Sequence, residues 1–552
     1  SLEAGALVLA DQGIAAVDEL DKMRCVTGDT LVHLADGSIR RIEELARDAA
    51  ETGSVETLDN GRTIRGTDFD VWTMADDGRI VSRPVSAVHE YEAPDTLTEV
   101  RLETGERLTA TNDHPFFVFD EGERVERAAS ELSPDDWVYV PRTLSQSVAD
   151  GGSVTVDANQ SIRSPEITPA LGAVLGYLSG DGNVFYDRDH GTYGIRFTNT
   201  EAELLADFER VCRSAFDAEP IRAPSEQRAD GVETVRVSGR DVADTVLDAG
   251  MNLQVYDGKA FPKRVADGSS AVKAAFVRAL ADSEGTVDTE TGNVRIHSAS
   301  YELLLGTKQL LLEFGVSSQI QTRERDNRRD LYVLTITAAE SLRAFGRQIG
   351  FVLDRKASAL ETVRADVSGD RTIIDVIPNC GEQLATLRDS LRLYQRECGI
   401  KASTYCAFEN GDANVSLRLG REILDAFERR RQTATTDVNE LRPDTDWEQI
   451  EALIERYHVT QSELASRIDG RTQQAISRDW GTESLRSRLI GALRGVLRET
   501  TQADLTPLRE LVYGDVKWRR VADVRGVDRE ANDVYPDRLD YELADRLGCD
   551  AA

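Results

Sequence analysis

The stretches LGAVLGYLSGDG, residues 171–182, and AFVRALADSEG, residues 275–285, form an internal repeat. In both, small residues lie one, five and nine places before an acid, which is Asp181 in the first stretch and Glu284 in the second. A spacing of four residues places side chains on one helix face, and glycine is costly in a helix unless another backbone must approach closely. The repeat therefore predicts two helices packed through their small faces, with the two acids side by side at one end.

Adjacent carboxylates can bind a divalent metal ion, and a metal ion between them can stabilise attack on a phosphodiester. The paired motifs resemble those of the LAGLIDADG homing endonucleases, which are pseudo-symmetric proteins that cut double-stranded DNA. The resemblance implies that Asp181 and Glu284 are catalytic and bind Mg²⁺ or Mn²⁺, although glutamate departs from the family pattern while keeping the charge. It further implies that Lys259 and Lys356 are active-site lysines and that the endonuclease is a monomer. The alternative is that the small faces serve core packing alone.

The residues that flank the two motifs fit an endonuclease domain over residues 165–360. Residues 194–201 alternate as a strand and then begin a helix, and residues 293–298 are the counterpart of that strand in the second half. Four arginines surround a predicted hairpin, where they would contact DNA phosphates: Arg323, Arg325, Arg328 and Arg329.

The stretch MRCVTGDTLV, residues 23–32, resembles the opening of an intein. In that family the first residue is a nucleophile, here Cys25, whose thiolate attacks the preceding carbonyl, here that of Arg24. The alternative is a buried structural cysteine at the start of a strand, because free cysteines are usually buried.

A second stretch, GERLTATNDHPF at residues 105–116, resembles the next intein block, which is marked by Thr-x-x-His. The resemblance makes Thr111 and His114 catalytic. Converting an amide into a thioester is uphill, and a histidine can polarise or protonate the scissile nitrogen near neutral pH. Thr111 would help to hold the strained carbonyl or the histidine. Short alternating runs bounded by Gly, Asp and Pro predict a β-rich splicing domain over residues 25–145.

Residues 1–24 are expected to belong to a different kind of protein, with an ordinary strand-turn-strand as the alternative. The stretch GALVLADQGIAAVDELDKM, residues 5–23, resembles the Walker B region of minichromosome maintenance (MCM) replicative helicases. Paired acids at a strand end, here Asp18 and Glu19, hold Mg²⁺ and polarise water in an ATPase. The sequence has no Gly-Lys-Ser/Thr phosphate loop, so this segment identifies a host protein but cannot hydrolyse ATP.

Residues 370–510 are expected to form a helical DNA-binding insert. Within residues 459–480, Thr460 and Glu463 fit a capping box, and the pattern resembles a helix-turn-helix. Its recognition helix would offer three side chains to a major groove: Gln473, Gln474 and Arg478. The alternative is a plain helical hairpin.

Residues 515–552 are expected to be a degenerate or truncated end of the splicing domain, beginning with a strand over residues 516–524. An intein should close with a His-Asn pair, but the last histidine is His458 and the only asparagine in this region is Asn532. We expect a truncated or frame-shifted reading, so that Cys25 begins a reaction that this chain does not finish.

The composition limits the environment of the protein. The chain of 552 residues has a net charge of −32 and only eight lysines, while 40% of its residues are hydrophobic. This balance is typical of halophilic rather than disordered proteins, and any DNA-binding surface must be a local cluster of arginines. Six scattered cysteines without a Cys-x-x-Cys pair argue against a zinc site or a disulfide scaffold. Without a signal peptide or an apolar span, we expect a cytoplasmic protein that has no membrane partner.

Together these patterns predict a multidomain α+β protein. An all-β, Hint-type splicing domain is interrupted by a pseudo-symmetric αββαββα LAGLIDADG endonuclease and a helical insert, within a fragment of a haloarchaeal-like MCM helicase. The expected DNA target is the MCM allele that lacks the intein. Two alternatives remain, a DNA-binding intein remnant without catalysis and a part of an ATP-dependent replicative helicase; the missing phosphate loop disfavours the second.

Overall fold

The computed structural model describes residues 25–75, 78–120, 122–142, 144, 167–224, 231–254, 258–323, 329–366, 375–468 and 470–528, and the backbone of 539–545. The chain divides into two compact units, of which the first comprises Ser1–Val118, Val125–Thr372 and Arg519–Ala552 and the second Phe119–Arg124 and Ile373–Trp518. The predicted Walker B acids Asp18 and Glu19, and the hairpin residues Arg325 and Arg328, lie outside the described residues.

The amino-terminal part of the first unit is rich in short strands. These strands are β1 Val26–Thr27, β2 Leu31–His33, β3 Ile39–Arg41, β4 Ser54–Leu58, β5 Gly61–Arg65, β6 Asp70–Met74, β7 Ile80–Glu92, β8 Thr96–Leu102, β9 Arg107–Ala110, β10 Pro115–Asp120, β11 Glu123–Ala128 and β12 Trp137–Pro141. Helix α1, Ile42–Thr52, buries Ile42, Leu45, Ala46 and Ala49, the spacing of an amphipathic helix. The strand patterns alone did not reveal this helix.

The next part of the first unit contains two halves with the same element order, αββαββα. The first half consists of α2 Pro169–Ser179, β13 Gly182–Asp187, β14 Thr192–Asn199, α3 Ala202–Phe216, β15 Ile221–Pro224, β16 Glu233–Ser238 and α4 Arg240–Asp248. A short helix, α5 Lys263–Ala266, precedes the second half, which consists of α6 Ser270–Glu284, β17 Gly285–Asp288, β18 Asn293–Ser298, α7 Tyr301–Glu313, β19 Gln319–Arg323, β20 Leu331–Ile336 and α8 Ala339–Gln348; α9 Asp354–Asp366 follows.

The two halves are related in topology and in register. Their antiparallel sheets have the orders β13-β14-β16-β15 and β17-β18-β20-β19. Gly182 pairs with Phe197 in the first sheet, and Gly285 pairs with Ile296 at the same position of the second. One hydrophobic core contains residues of both halves. The strand predicted within residues 194–201 is β14, the helix predicted to follow it is α3, and the counterpart strand over residues 293–298 is β18.

The second unit is mostly helical, as its sequence predicts. It contains β21 Val376–Ile377, α10 Gly381–Ser390, α11 Ala402–Glu409, β22 Val415–Ser416, α12 Leu417–Glu440, α13 Trp447–Arg456, α14 Gln461–Ser466, α15 Gln473–Asp479, α16 Glu483–Thr501 and α17 Thr506–Tyr513. Helices α12 to α16 enclose a hydrophobic core of their own. No helix in the described parts of the chain is long and apolar enough to cross a bilayer.

The last strands of the chain are β23, Val516–Asp528, and β24, Leu539–Asp545. Within the described residues the large sheet has the order β11-β10-β12-β23-β8-β9-β1-β24-β7-β5-β4, and β6 pairs with β7. In β24, Tyr541 is the register partner of both Val26 and Glu90. Strand β24 therefore pairs with β1, which directly follows Cys25, and β23 pairs with β8 in the same sheet.

Candidate functional site

Helices α2 and α6 meet along the small faces that the repeat predicts. A Cβ atom at Gly176 would lie 2.3 Å from the carbonyl oxygen of Phe276, and one at Gly180 would lie 2.5 Å from Cβ of Ser283. Side-chain carbons do not approach other atoms so closely, so these positions require glycine. The prediction that two helices pack through small faces is confirmed.

The amino end of α2 also matches its prediction. The Thr168 side chain accepts a hydrogen bond from the amide of Leu171 at 3.2 Å, and Pro169 occupies the first turn. This combination fixes where α2 begins, and its length then sets the position of Asp181 beyond the last turn.

The two acids of the repeat are neighbours at the carboxyl ends of the helix pair. A Cβ atom at Gly180 would lie 3.4 Å from Cγ of Glu284, and Asn199 Nδ2 donates to Asp181 Oδ2 at 2.8 Å. Asp181 is exposed and Glu284 is partly buried. Burial, with the charge of Asp181 as the second cause, raises the pKa of Glu284 to about 7. The arrangement brings two carboxylates together, and their repulsion disfavours the charged form of Glu284.

A lysine ammonium binds the carboxyl end of each of the two helices that lead to the acids. The ammonium of Lys259 lies within hydrogen-bond distance of four backbone carbonyls at and just beyond the end of α2, and its three N–H groups share them. The ammonium of Lys356 donates to two carbonyls at the end of α6. The carbonyls around Lys259 are those of Leu178, Ser179, Gly180 and Gly182, and those around Lys356 are Ala281 and Asp282. Burial lowers the pKa of both lysines, against the raising effect of nearby carboxylates, and that of Lys356 falls to about 8. Each ammonium therefore stabilises the negative end of a helix and fixes the backbone that carries an acid.

Three further residues complete this region, and sequence patterns did not single them out. Asn199 contacts Asp181, as described above. Asp282 accepts from the amides of the segment before Lys356, at 2.7 Å and 3.1 Å. His297 Nδ1 lies 3.2 Å from the carbonyl oxygen of Glu284 and donates to it in the tautomer with a proton on Nδ1. In the sequence, Asn199 and His297 lie at or near the ends of predicted strands, and Asp282 lies two residues before Glu284. These positions were the available signal that the three residues lie near the two acids.

The arginine hairpin is formed by β19 and β20, which are paired antiparallel. Arg323 ends β19, Arg329 precedes β20, and both side chains are exposed. In the part of the chain that the structure describes, no group of three or more His, Cys, Asp or Glu side chains could hold a metal ion. Asp181 and Glu284 are therefore a group of two carboxylates.

The residues of the two intein-like blocks meet in the large sheet. The amide of Cys25 donates to Oγ1 of Thr111 at 3.0 Å, and the amide of Thr111 donates to the carbonyl of Cys25 at 2.9 Å. The amide of His114 donates to the carbonyl of Thr111 at 3.0 Å. Cys25, Thr111 and His114 are all buried. The Thr111 hydroxyl thus contacts the nitrogen of the peptide bond that the thiolate of Cys25 would attack.

Helices α14 and α15 lie in the region predicted to be a helix-turn-helix or, alternatively, a plain helical hairpin. The side chains of Thr460 and Thr472 accept from the third following amides, which caps α14 and α15. The Glu463 carboxylate, which was predicted to complete a capping box, instead accepts from the Arg392 guanidinium at 3.0 Å. The three predicted base-reading side chains lie on the exposed face of α15: Gln473, Gln474 and Arg478.

Two protein families match parts of this chain. Residues 271–350 match the LAGLIDADG-like domain. Residues 1–35 match the MCM P-loop domain, so matches to two different families occur in one chain.

Two of the curated proteins to which this chain is similar are a replication factor subunit and an elongation factor. The replication factor C small subunit of Methanocaldococcus jannaschii is 25% identical over 403 residues, which cover 73% of this chain and 19% of the relative. Elongation factor 2 of Methanopyrus kandleri is 24% identical over 509 residues, which cover 76% of this chain and 38% of the relative. The chain therefore spans less than half the length of these relatives.

Similar solved structures include a homing endonuclease and an intein. The endonuclease I-DmoI in complex with DNA and Ca is 20% identical, with 35% of this chain and 97% of that chain covered and a TM-score of 0.28. The PabCDC21-1 intein is 23% identical, with 21% of this chain and 73% of that chain covered and a TM-score of 0.20.

Proposed function

We propose that this chain is a metal-dependent, site-specific DNA endonuclease of the LAGLIDADG homing type, carried by an intein within an MCM helicase. The observation that carries the proposal is the pair Asp181 and Glu284, held at the ends of two helices that only glycine allows to approach so closely. Lys259 and Lys356 fix the two helix ends. Two halves with the same fold suit a monomer that contacts both sides of a double-stranded target.

The residues present fit a Mg²⁺ or Mn²⁺ ion. Both candidate ligands are carboxylates, and hard divalent cations are often held by one or two carboxylates, with water and substrate phosphate as the remaining ligands. When bound, such an ion supplies charge stabilisation to the attacking and leaving oxygens of a phosphodiester. The raised pKa of Glu284 has burial and Asp181 as its main causes, and a bound cation would favour the charged form of both acids.

The chain's own contribution is to position these groups. Asn199 orients the Asp181 carboxylate through its amide, and Asp282 holds the segment that leads to Lys356. The exposed Arg323 and Arg329 can neutralise phosphates beside the active site. Such positioning matters because a displacement of about 1 Å in a catalytic group can cost about 100-fold in rate.

The proposed splicing chemistry is an N–S acyl shift at Cys25. The sulfur of Cys25 forms a bond to the Arg24 carbonyl carbon, the bond from that carbon to the Cys25 nitrogen breaks, and the nitrogen gains a proton as a free amine. Thr111 contacts this nitrogen. His114 is the residue proposed to supply the proton.

The relatives support an inserted element. A replication factor and an elongation factor share most of this chain's length but differ in name, and the MCM match is confined to residues 1–35. A segment that recurs in different hosts is better explained by a mobile insert than by the activity of any one host.

The endonuclease proposal is tested by incubating supercoiled plasmid carrying an uninterrupted MCM sequence with the full chain at high salt and Mg²⁺ or Mn²⁺. We expect linear product from the wild type. The variant Asp181→Asn/Glu284→Gln should give none, because it removes both carboxylate charges. Glu219→Gln, which changes an exposed acid elsewhere, should cut at the wild-type rate.

Cleavage by the Asp181→Asn/Glu284→Gln variant would contradict the roles of these acids. An inactive wild type that still binds the target in a gel-shift assay would favour the alternative of a DNA-binding remnant. Metal-dependent ATP hydrolysis by the purified chain would favour the helicase alternative.

A further inference from the structure

The turn between β8 and β9 is bound by the second half of the endonuclease. The Ile320 amide donates to the Thr104 carbonyl at 2.9 Å, and the Tyr301 hydroxyl donates to the Gly105 carbonyl at 3.0 Å. Gly105 has a φ of +91°, and a Cβ atom there would lie 2.0 Å from the Ile320 carbonyl oxygen. The backbone of the endonuclease therefore lies directly against this turn of the splicing fold.

A buried ion pair joins the same two regions. Lys308 of α7 contacts Glu106, and each residue is only 4% exposed. Lys308 also lies 3.4 Å from the Thr104 carbonyl oxygen, to which it donates. Removing one partner of such a pair is costly because it leaves an uncompensated buried charge. The turn is held by this pair as well as by the neutral hydrogen bonds.

Helix α7 reaches the strands that follow Cys25 as well. The Gln309 side chain is hydrogen-bonded to Nε2 of His33 at 2.7 Å, and both residues are 1% exposed. Ile39 of β3 is part of the hydrophobic core of the endonuclease. One helix thus contacts segments close in sequence to both splicing blocks, since His33 follows Cys25 by eight residues.

The turn is connected to the splicing centre by a short strand. From Glu106, β9 leads to Ala110, which is the register partner of Val26, and then to Thr111 on the amide of Cys25. Five residues of strand span about 17 Å. The turn therefore lies at one end of the strand whose other end leads to the Thr111 hydroxyl.

We infer that α7 of the endonuclease is a brace for the splicing centre: by holding the β8–β9 turn it positions Thr111 against the amide of Cys25. Tyr301 and Lys308 are the positioning residues. This inference rests on the splicing chemistry proposed above and extends it, because it makes the endonuclease a structural part of the splicing reaction.

The test measures the rate at which a thiol at saturating concentration releases residues 1–24 from the full chain at high salt, followed by mass spectrometry. Tyr301→Phe removes one hydroxyl, and we expect release to slow about fivefold, the effect of one hydrogen bond. Its matched control, Tyr332→Phe, changes the aromatic neighbour of Tyr301 and should release at the wild-type rate.

Three further variants test the buried ion pair between Lys308 and Glu106. Lys308→Met leaves the buried Glu106 carboxylate without its positively charged partner. The release of residues 1–24 should then slow by up to about 100-fold. Lys263→Met removes a partly exposed ion pair to Glu44 in the same region and should not change release. The double variant Glu106→Gln/Lys308→Met has no uncompensated buried charge at this position. Its rate of release should therefore return to within a few-fold of the wild-type rate.

Thermal melts and DNA cleavage separate positioning from unfolding. Slow release by Tyr301→Phe, with wild-type melting temperature and cleavage rate, supports the brace. Wild-type release by both Tyr301→Phe and Lys308→Met would overturn it while leaving the splicing proposal intact. If the wild type itself releases no peptide, or if Cys25→Ala releases as fast, the proposed acyl shift is wrong.

Discussion

The substitution Gly176→Ala tests whether the close backbone approach of α2 and α6 positions Asp181 and Glu284 for the proposed DNA cleavage. The added Cβ would lie 2.3 Å from the Phe276 carbonyl oxygen and 2.8 Å from Cβ of Ala279. A carbon–oxygen contact relaxes to about 3.3 Å, so the helices must separate by about 1 Å. Neither neighbour can rotate away, because one is backbone and the other is a methyl group attached to it.

The expected change in the free energy of unfolding follows from two opposing effects. Alanine is better than glycine in a helix by about 1 kcal/mol, whereas overpacking a well-filled core costs up to about 3 kcal/mol. Gly176→Ala should therefore destabilise the first unit by about 2 kcal/mol. Separation of the helix ends by about 1 Å should also lower the DNA cleavage rate by about 100-fold.

The matched control is Gly346→Ala in α8. There the added Cβ would lie 3.0 Å from Cδ of Arg364, a flexible side chain that can move. Because alanine favours a helix more than glycine does, this variant should raise the free energy of unfolding by up to about 1 kcal/mol. It should cut DNA at the wild-type rate. Calorimetric melting in high salt measures stability, and plasmid cleavage with Mg²⁺ measures activity. If Gly176→Ala melts as high as Gly346→Ala and cuts as fast, the close approach does not position the acids.

Two further predictions concern the buried histidine and the predicted recognition helix. Burial lowers the pKa of His33 to about 4 from 6.5, so its stabilising effect is present above pH 6.5 and is lost as the pH falls towards 4. The unfolding free energy of the wild type relative to His33→Gln should fall by about 3 kcal/mol across that range in denaturant titrations; a constant difference would contradict the burial argument. Replacing the three exposed side chains of α15 by alanine should weaken binding to target DNA at least about tenfold in gel-shift titrations at fixed salt; unchanged affinity would leave the plain helical hairpin. The three are Gln473, Gln474 and Arg478.

The parts of the endonuclease that sequence predicted are those with local spacing. The four-residue repeat before Asp181 and Glu284 specifies a helix face, and the cap at Thr168 specifies where one helix begins. Both were therefore predictable, and both are confirmed in the structure. The roles of the two acids in catalysis stay predictions, as does the role of Cys25.

Residues whose importance depends on distant partners could not be predicted in this way. Asn199 contacts Asp181 across a strand hairpin, and His297 contacts the backbone of Glu284. In sequence, Asn199 is a polar residue at a strand end, which many residues are. The carbonyl contacts of Lys259 likewise depend on a helix that ends about eighty residues earlier.

The contact between α7 and the β8–β9 turn shows most clearly why sequence was insufficient. Lys308 and Glu106 are 202 residues apart, and a lysine or glutamate viewed alone is expected at the surface. Their burial becomes understandable only as a pair, because each removes the charge penalty of the other. It follows that loss of the endonuclease would leave Glu106 without this partner and expose the turn that leads to Thr111. A splicing fold that functions without the endonuclease would then require other contacts to hold that turn.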